Sequence, residues 1–137
     1  MLLHPYINTS LLECYQKIGE LDKAFEEFIL SIKNKNLDYN TKLQVYEYWF
    51  NEKDDSDNTV EEAKIAGEAF IETHPDKELG YYVLGAVYYN EGNYAEARNY
   101  YQKAIERDST NFVSWYQLII TDIELNLIED VYAHAVK

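Results

Sequence analysis

Glu78–Asn111 reads ELGYYVLGAVYYNEGNYAEARNYYQKAIERDSTN, a stretch of 34 residues with two apolar rhythms and one interruption. Tyr81, Leu84, Gly85 and Tyr88 recur at steps of three, one and three, which puts them on one face of a first helix. Gly92 breaks that helix, and Asn93 with Glu96 three residues later reads as an N-cap and its capping partner. Tyr94, Ala97, Tyr101 and Ala104 then form one stripe of a second helix that ends near Asp108 and Ser109. A helical hairpin of this size cannot bury its own apolar face, so it must stack on others like it.

Composition agrees with an all-helical array. The chain has 137 residues, enough for one domain, with 47% apolar and 27% charged residues, the balance of a folded protein. Only 2 prolines and 5 glycines are present, which disfavours a turn-rich β-sandwich and permits long helices. No stretch approaches the roughly 20 apolar residues of a membrane span. Met1 to Pro5 shows neither a charged nor an apolar leader region. A single cysteine, Cys14, excludes an internal disulfide and any multi-thiolate metal site. Twelve basic against 25 acidic residues give a net charge of −13, which makes nucleic acid and anionic lipid poor partners.

The 78–111 stretch resembles the tetratricopeptide repeat. That family's signature of large aromatic, Leu, Gly, Tyr, Gly, Ala, aromatic, Ala and Pro falls here on Tyr81, Leu84, Gly85, Tyr88, Gly92, Ala97, Tyr101, Ala104 and Ser109, with only the proline replaced. Ser109 after Asp108 can still cap a following helix. Carried to Pro5–Asp38, the same frame meets Gly19, Ala24 and Phe28 but departs at Asn8 and Leu12. From Phe112, Trp115 and Leu118 fit, whereas Ile119, Asp122 and Val131 replace Gly, Tyr and Ala, and Lys137 falls inside the second helix of that copy.

The copy between is irregular. Residues 39–77 hold a second helix from about Thr59 to Thr73, and their excess of length over the next copy belongs in the polar segment 51–58. Thr41 to Gln44 and Thr59 to Glu62 read as capping boxes. The resemblance thus implies an all-α, right-handed solenoid of helical hairpins in one domain, residues 1–137, with repeats at about 5–38, 39–77, 78–111 and a partial 112–137. Leu127, Ile128 and Val131 do not make the polar cap that ends such arrays, so the chain reads as a segment of a longer array or one whose end packs on another molecule.

Catalytic and metal readings find little support. His4, His74 and His134 are scattered, with no i, i+4 pair and no Cys/His cluster, so no metal is expected. His74 sits at a helix end, where a cation suits the dipole. A calcium loop starting at Asp54 or Asp55 would need Gly at its sixth position and Glu at its twelfth. Those places hold Thr59 and Ile65, or Val60 and Ala66. Cys14 falls where the family places a small packing residue. No phosphate-cradling glycine loop exists, and no cofactor is expected.

What the resemblance does imply is a surface. The family's concave face corresponds here to Leu79, Tyr82, Ala86, Tyr89 and Asn90 in the best copy. In the last copy it corresponds to Val113, Tyr116, Ile120, Ile123 and Glu124, and in the first to Tyr6, Thr9, Glu13, Gln16 and Lys17. Family members that hold a chaperone's terminal carboxylate use Lys, Asn and Arg on this face; Thr9, Glu13, Leu79 and Val83 stand in those places here, so the cationic clamp is missing. The expectation is a non-catalytic scaffold that binds a basic or apolar peptide or helix, with Leu79, Tyr82, Ala86, Tyr89, Asn90, Tyr116, Ile120 and Ile123 as partner-binding residues. Nucleic-acid binding and membrane insertion are not expected. A purely structural segment, stacking on further repeats or on itself through the C-terminal helix, is the rival, and an acidic helical enzyme the third reading. Without a leader the chain as it stands is expected in the cytoplasm; as a fragment of an exported protein it would be periplasmic or envelope-associated.

Overall fold

The structure, a computed structural model, describes residues 7–51 and 59–135. Among the described residues there are seven α-helices and no strand: α1 (Ile7–Lys17), α2 (Leu21–Lys33), α3 (Tyr39–Asn51), α4 (Thr59–Thr73), α5 (Leu79–Asn90), α6 (Tyr94–Arg107) and α7 (Phe112–Ala135). They group into two compact units, Met1–Thr73 with α1 to α4 and His74–Lys137 with α5 to α7. The fold is all-α and helical-repeat, as the periodicity predicts.

Two hairpins, α1/α2 and α5/α6, turn on glycine. Gly19 and Gly92 both hold φ at 81°. The Gly92 N–H donates to the Tyr89 carbonyl at 3.0 Å and the Asn93 N–H to that of Tyr88 at 2.9 Å; Gly19 and Glu20 repeat the pattern on Gln16 and Tyr15 at 3.2 and 2.9 Å. These paired bonds satisfy the last carbonyls of each helix and reverse the chain within three residues. A side chain in this backbone region costs roughly 1–2 kcal/mol, although open space surrounds both positions.

Where the glycine is missing, the connection changes. Between α3 and α4 the chain takes residues 52–58, seven against the three of 91–93, which is where the sequence places the extra length. The acidic run Asp54–Asn58 falls in that segment, outside the described residues. Residues 112–137 contain neither glycine nor proline, so nothing stops the helix that begins at Phe112. The turn and second helix expected in this closing copy are replaced by one uninterrupted 24-residue helix, α7.

Three capping expectations shift by a few residues. The Asp38 carboxylate caps α3, accepting from the Thr41 N–H at 3.1 Å and the Thr41 hydroxyl at 2.7 Å, so Thr41 lies in the first turn instead of opening it. At α4 the Thr59 hydroxyl is buried without a hydrogen-bond partner, and Glu62 instead accepts from the Trp49 indole N–H at 3.2 Å. For α7 the cap is Asn111, which accepts from the Ser114 N–H at 3.2 Å, and not Ser109. Asn93 does cap α6, accepting from the Glu96 N–H at 3.4 Å.

The core of the first unit is aromatic. Phe28 stacks on Trp49 at 5.1 Å, and Phe25, Phe50, Tyr46 and Phe70 continue the cluster. Ala24, Phe28, Ile32, Trp49 and Phe70 are at most 1% exposed. Lys42 is equally buried, and desolvation lowers its ammonium pKa. Cys14, expected to pack, is exposed.

The second unit is built around a close crossing. A Cβ on Gly85 would sit 2.8 Å from Cδ1 and Cε1 of Tyr101, so α5 and α6 touch through a glycine and a buried ring. Ala97 and Ala104 are fully buried on the same stripe of α6, and α7 meets α6 with its small polar residues Ser114 and Thr121. Arg98 Nε and Asp122 Oδ1 join α6 to α7 at 2.6 Å, a half-exposed pair contributing roughly 0.2–1 kcal/mol. Asp122 therefore has a role in place of the family's Tyr.

Gly85→Val should force the Tyr101 ring out of its place and lower unfolding free energy by about 1–3 kcal/mol in urea titration. Gly92→Ala, with room but the wrong φ, should cost about 1–2 kcal/mol.

Candidate partner-binding face

The second unit gathers most of the residues that the sequence assigns to binding. On α5, Tyr82 and Tyr89 lie seven residues apart on one face; with Leu79 and Ala86 they are half-buried, while Asn90 is exposed. Tyr82 packs its ring 5.8 Å from that of Tyr101, and Tyr89 meets Tyr94 edge-on at 5.1 Å. The α5 tyrosines thus stand partly on α6 and show the remainder of their surface.

On α7 the apolar residues are far more open. Phe112, Val113, Trp115, Tyr116, Ile119, Ile123, Leu127 and Ile128 are between 44% and 77% exposed, and Ile120 is half-buried. Their number follows from the uninterrupted helix: Ser114 and Thr121 occupy the contact with α6, and among the described residues no second helix covers the other faces. The Trp115 indole donates to the Ser109 carbonyl at 2.9 Å, and Phe112 stacks on Tyr116 at 6.3 Å. Val131 has no described side chain.

Burial shows in the hydroxyl groups of this unit's tyrosines. Burial pushes up the hydroxyl pKa of Tyr82. That of Tyr89 rises through burial, then through the charge of Glu124 and the neighbouring Tyr94 and Tyr116. Tyr101 is raised well beyond the ordinary range, by burial first and then by Tyr82 and Tyr89.

The first-copy residues lie in the other unit. Glu13 and Lys17 are exposed and Gln16 half-buried; the side chains of Tyr6 and Thr9 fall outside the described residues. Sequence reasoning missed two hollows there. One of about 270 Å³ lies between α1 and α3, lined by Leu12, Glu13, Thr41, Gln44, Val45 and Tyr48. The other, about 430 Å³, is lined on α2 and α4 by Phe25, Ile29, Leu30 and Ile65 among others. Exposed apolar residues on second helices, Leu30 and Ile65, were its only signal. Among the described residues no three His, Cys, Asp or Glu side chains converge as a metal site, and no helix is long and apolar enough to cross a membrane. His74 follows the last residue of α4, at the helix end where the sequence puts it; the His4 and His134 side chains lie outside the described residues.

The raised tyrosine pKa values set the sign of an alkaline effect. The unfolded chain loses these protons near pH 10 and the folded chain only above it, so the stability they contribute is complete below pH 10 and is lost as pH rises. Urea midpoints should therefore fall between about pH 9.5 and 11, and Tyr101→Phe should show a smaller fall than the parent chain.

The model of the tetratricopeptide repeat family matches residues 78–111, the copy with the glycine turn and the Gly85–Tyr101 crossing. A search of curated proteins gives no match. Repeats of this family generally mediate protein–protein interaction, as non-catalytic scaffolds. Residues 78–111 therefore form a tetratricopeptide repeat, set within an all-α helical-repeat fold.

Proposed function

We propose that the protein is a non-catalytic scaffold whose α5/α7 face takes a peptide or helical segment of a partner protein. The observation that carries this reading is the open apolar stripe of α7, in the unit that also holds the half-buried tyrosines of α5. Half-buried tyrosine rings with aliphatic neighbours suit a docking surface, since they add contact area at low conformational cost. The net charge of −13 favours a basic or apolar segment over an acidic one.

Spacing supports a second reading. Val113, Tyr116, Ile120, Ile123 and Leu127 follow a three-four rhythm, the seam along which another helix packs. That helix would belong to further repeats or to a second copy of the chain. Sedimentation over a wide concentration range decides the last case, because a mass of one chain throughout removes self-association.

The scaffold reading is tested with random dodecamer peptides displayed on phage and selected on the full chain. Tyr116→Ser with Ile123→Ser should weaken the selected peptides by about tenfold or more, with far-ultraviolet circular dichroism unchanged. Leu30→Ser, on the other unit, should leave them bound. Peptides that tolerate the α7 variant and are lost on Leu30→Ser would place docking elsewhere.

A further inference from the structure

Each residue of an α-helix turns the chain by about 100°, which fixes what α7 shows on each side. Ser114 and Thr121 are fully buried, on the side that meets α6. Phe112, Tyr116, Ile119, Ile123 and Leu127 fall within an arc of about 80° on the opposite side. All five are between 53% and 77% exposed. Their rings are already ordered: Phe112 stacks on Tyr116 at 6.3 Å, and at the edge of the stripe the Trp115 indole is held by the Ser109 carbonyl at 2.9 Å. Side chains fixed in advance lose little freedom when a partner covers them.

The stripe is complementary to itself. Laid antiparallel about a point between Ile119 and Ile120, two such helices bring Phe112 to Leu127 and Tyr116 to Ile123, a ring against an aliphatic side chain each time. Charge points the same way. Residues 109–121 carry none, and Asp122 is already paired with Arg98. In the antiparallel register Glu124 and Glu129 fall opposite Trp115 and Thr110, whereas a parallel pair sets each carboxylate against its own counterpart. Opposed helix dipoles favour the antiparallel arrangement as well. With Trp115 at its edge, the stripe leaves roughly 600 Å² of side chain open, so a symmetric pair buries about 1,200 Å², the low end of stable interfaces.

We propose that α7 pairs with α7 of a second copy of the chain, antiparallel, about a two-fold axis between Ile119 and Ile120. The inference rests on the reading that a helix packs along α7, and names that helix and its register. The interface is isologous, each copy giving the same patch, so it closes at two chains and does not grow into a filament. It covers Tyr116 and Ile123, so a second copy and a docked peptide compete for the same residues.

Sedimentation velocity of the full chain between about 1 μM and 1 mM should pass from one chain to two, with a dissociation constant of about 1–100 μM. Raising sodium chloride from about 0.05 to 0.5 M should tighten the pair severalfold, because screening relieves the repulsion between two chains of net charge −13. Docking of a basic peptide would weaken under the same change. Ile119→Glu, at the exposed centre of the stripe, should leave one chain at every concentration, with far-ultraviolet circular dichroism unchanged. Leu30→Glu, an exposed apolar residue of the other unit, should pair as the parent does. Register is read from disulfide-linked dimers formed under oxidised glutathione in a Cys14→Ser background. Ile119→Cys should link two chains, and Phe112→Cys, about 22 Å along the pair from its counterpart, should not. A mass of one chain throughout, pairing untouched by Ile119→Glu, or linkage of Phe112→Cys as ready as that of Ile119→Cys overturns the proposal. If the chain stays single while displayed peptides are lost on Tyr116→Ser with Ile123→Ser, α7 stands as a docking surface for another protein. If the peptides are indifferent as well, both readings fail.

Discussion

A backbone held at positive φ is the constraint from which the rest of this architecture follows. At Gly19 and Gly92 it ends a helix, satisfies its last carbonyls and returns the chain within three residues, so the next helix lies against the one just finished. The two places without such a residue behave differently. After α3 the chain needs seven residues to reach α4, and after Phe112 it does not turn before Ala135. The exposed apolar surface of α7 goes with a missing glycine, because a helix that does not reverse has no hairpin partner among the described residues to cover its second face.

Tyrosine carries the other half of the design. A ring such as Tyr101 can be buried against α5 only because Gly85 withholds a side chain at the crossing, and the depth of that burial shows in its raised hydroxyl pKa. The rings of buried Tyr81 and of Tyr100 are covered by Arg107 and Lys103 of α6. Those on the α5/α7 face are steadied by neighbouring rings and keep part of their surface open. One residue type therefore fills the core, clasps the helix ends and offers the candidate surface, and burial decides which.

Much of this was legible in the residues. The apolar rhythm of 78–111, the break at Gly92 and the cap at Asn93 lie within a few residues of each other, so local chemistry alone dictates α5 and α6. The bounds of α4 were equally plain, between the polar segment and His74–Pro75. Caps were less legible where two candidates compete. Asp38 and Thr41 both suit an N-cap, and the carboxylate wins because it takes two donors from Thr41. Glu62 looked like a capping partner, but the indole of Trp49, thirteen residues away, claims its carboxylate, which no local pattern encodes. The closing copy misled for a different reason: extending a repeat frame presumes its turn, and residues 112–137 contain no residue to make one.

Long-range charge explains why a surface built from tyrosine and aliphatic residues need not be indiscriminate. An apolar stripe alone accepts any greasy segment, and specificity requires a feature that penalises the wrong one. On the proposed docking face that penalty would come from the chain's net charge of −13. On that reading an acidic segment approaching α7 would meet repulsion before it gained contact, whereas a basic one would be drawn in. Arg98 is held by Asp122 between α6 and α7. That ion pair fastens α7 to α6 while its two charges cancel, so it leaves the chain's net charge of −13 unchanged.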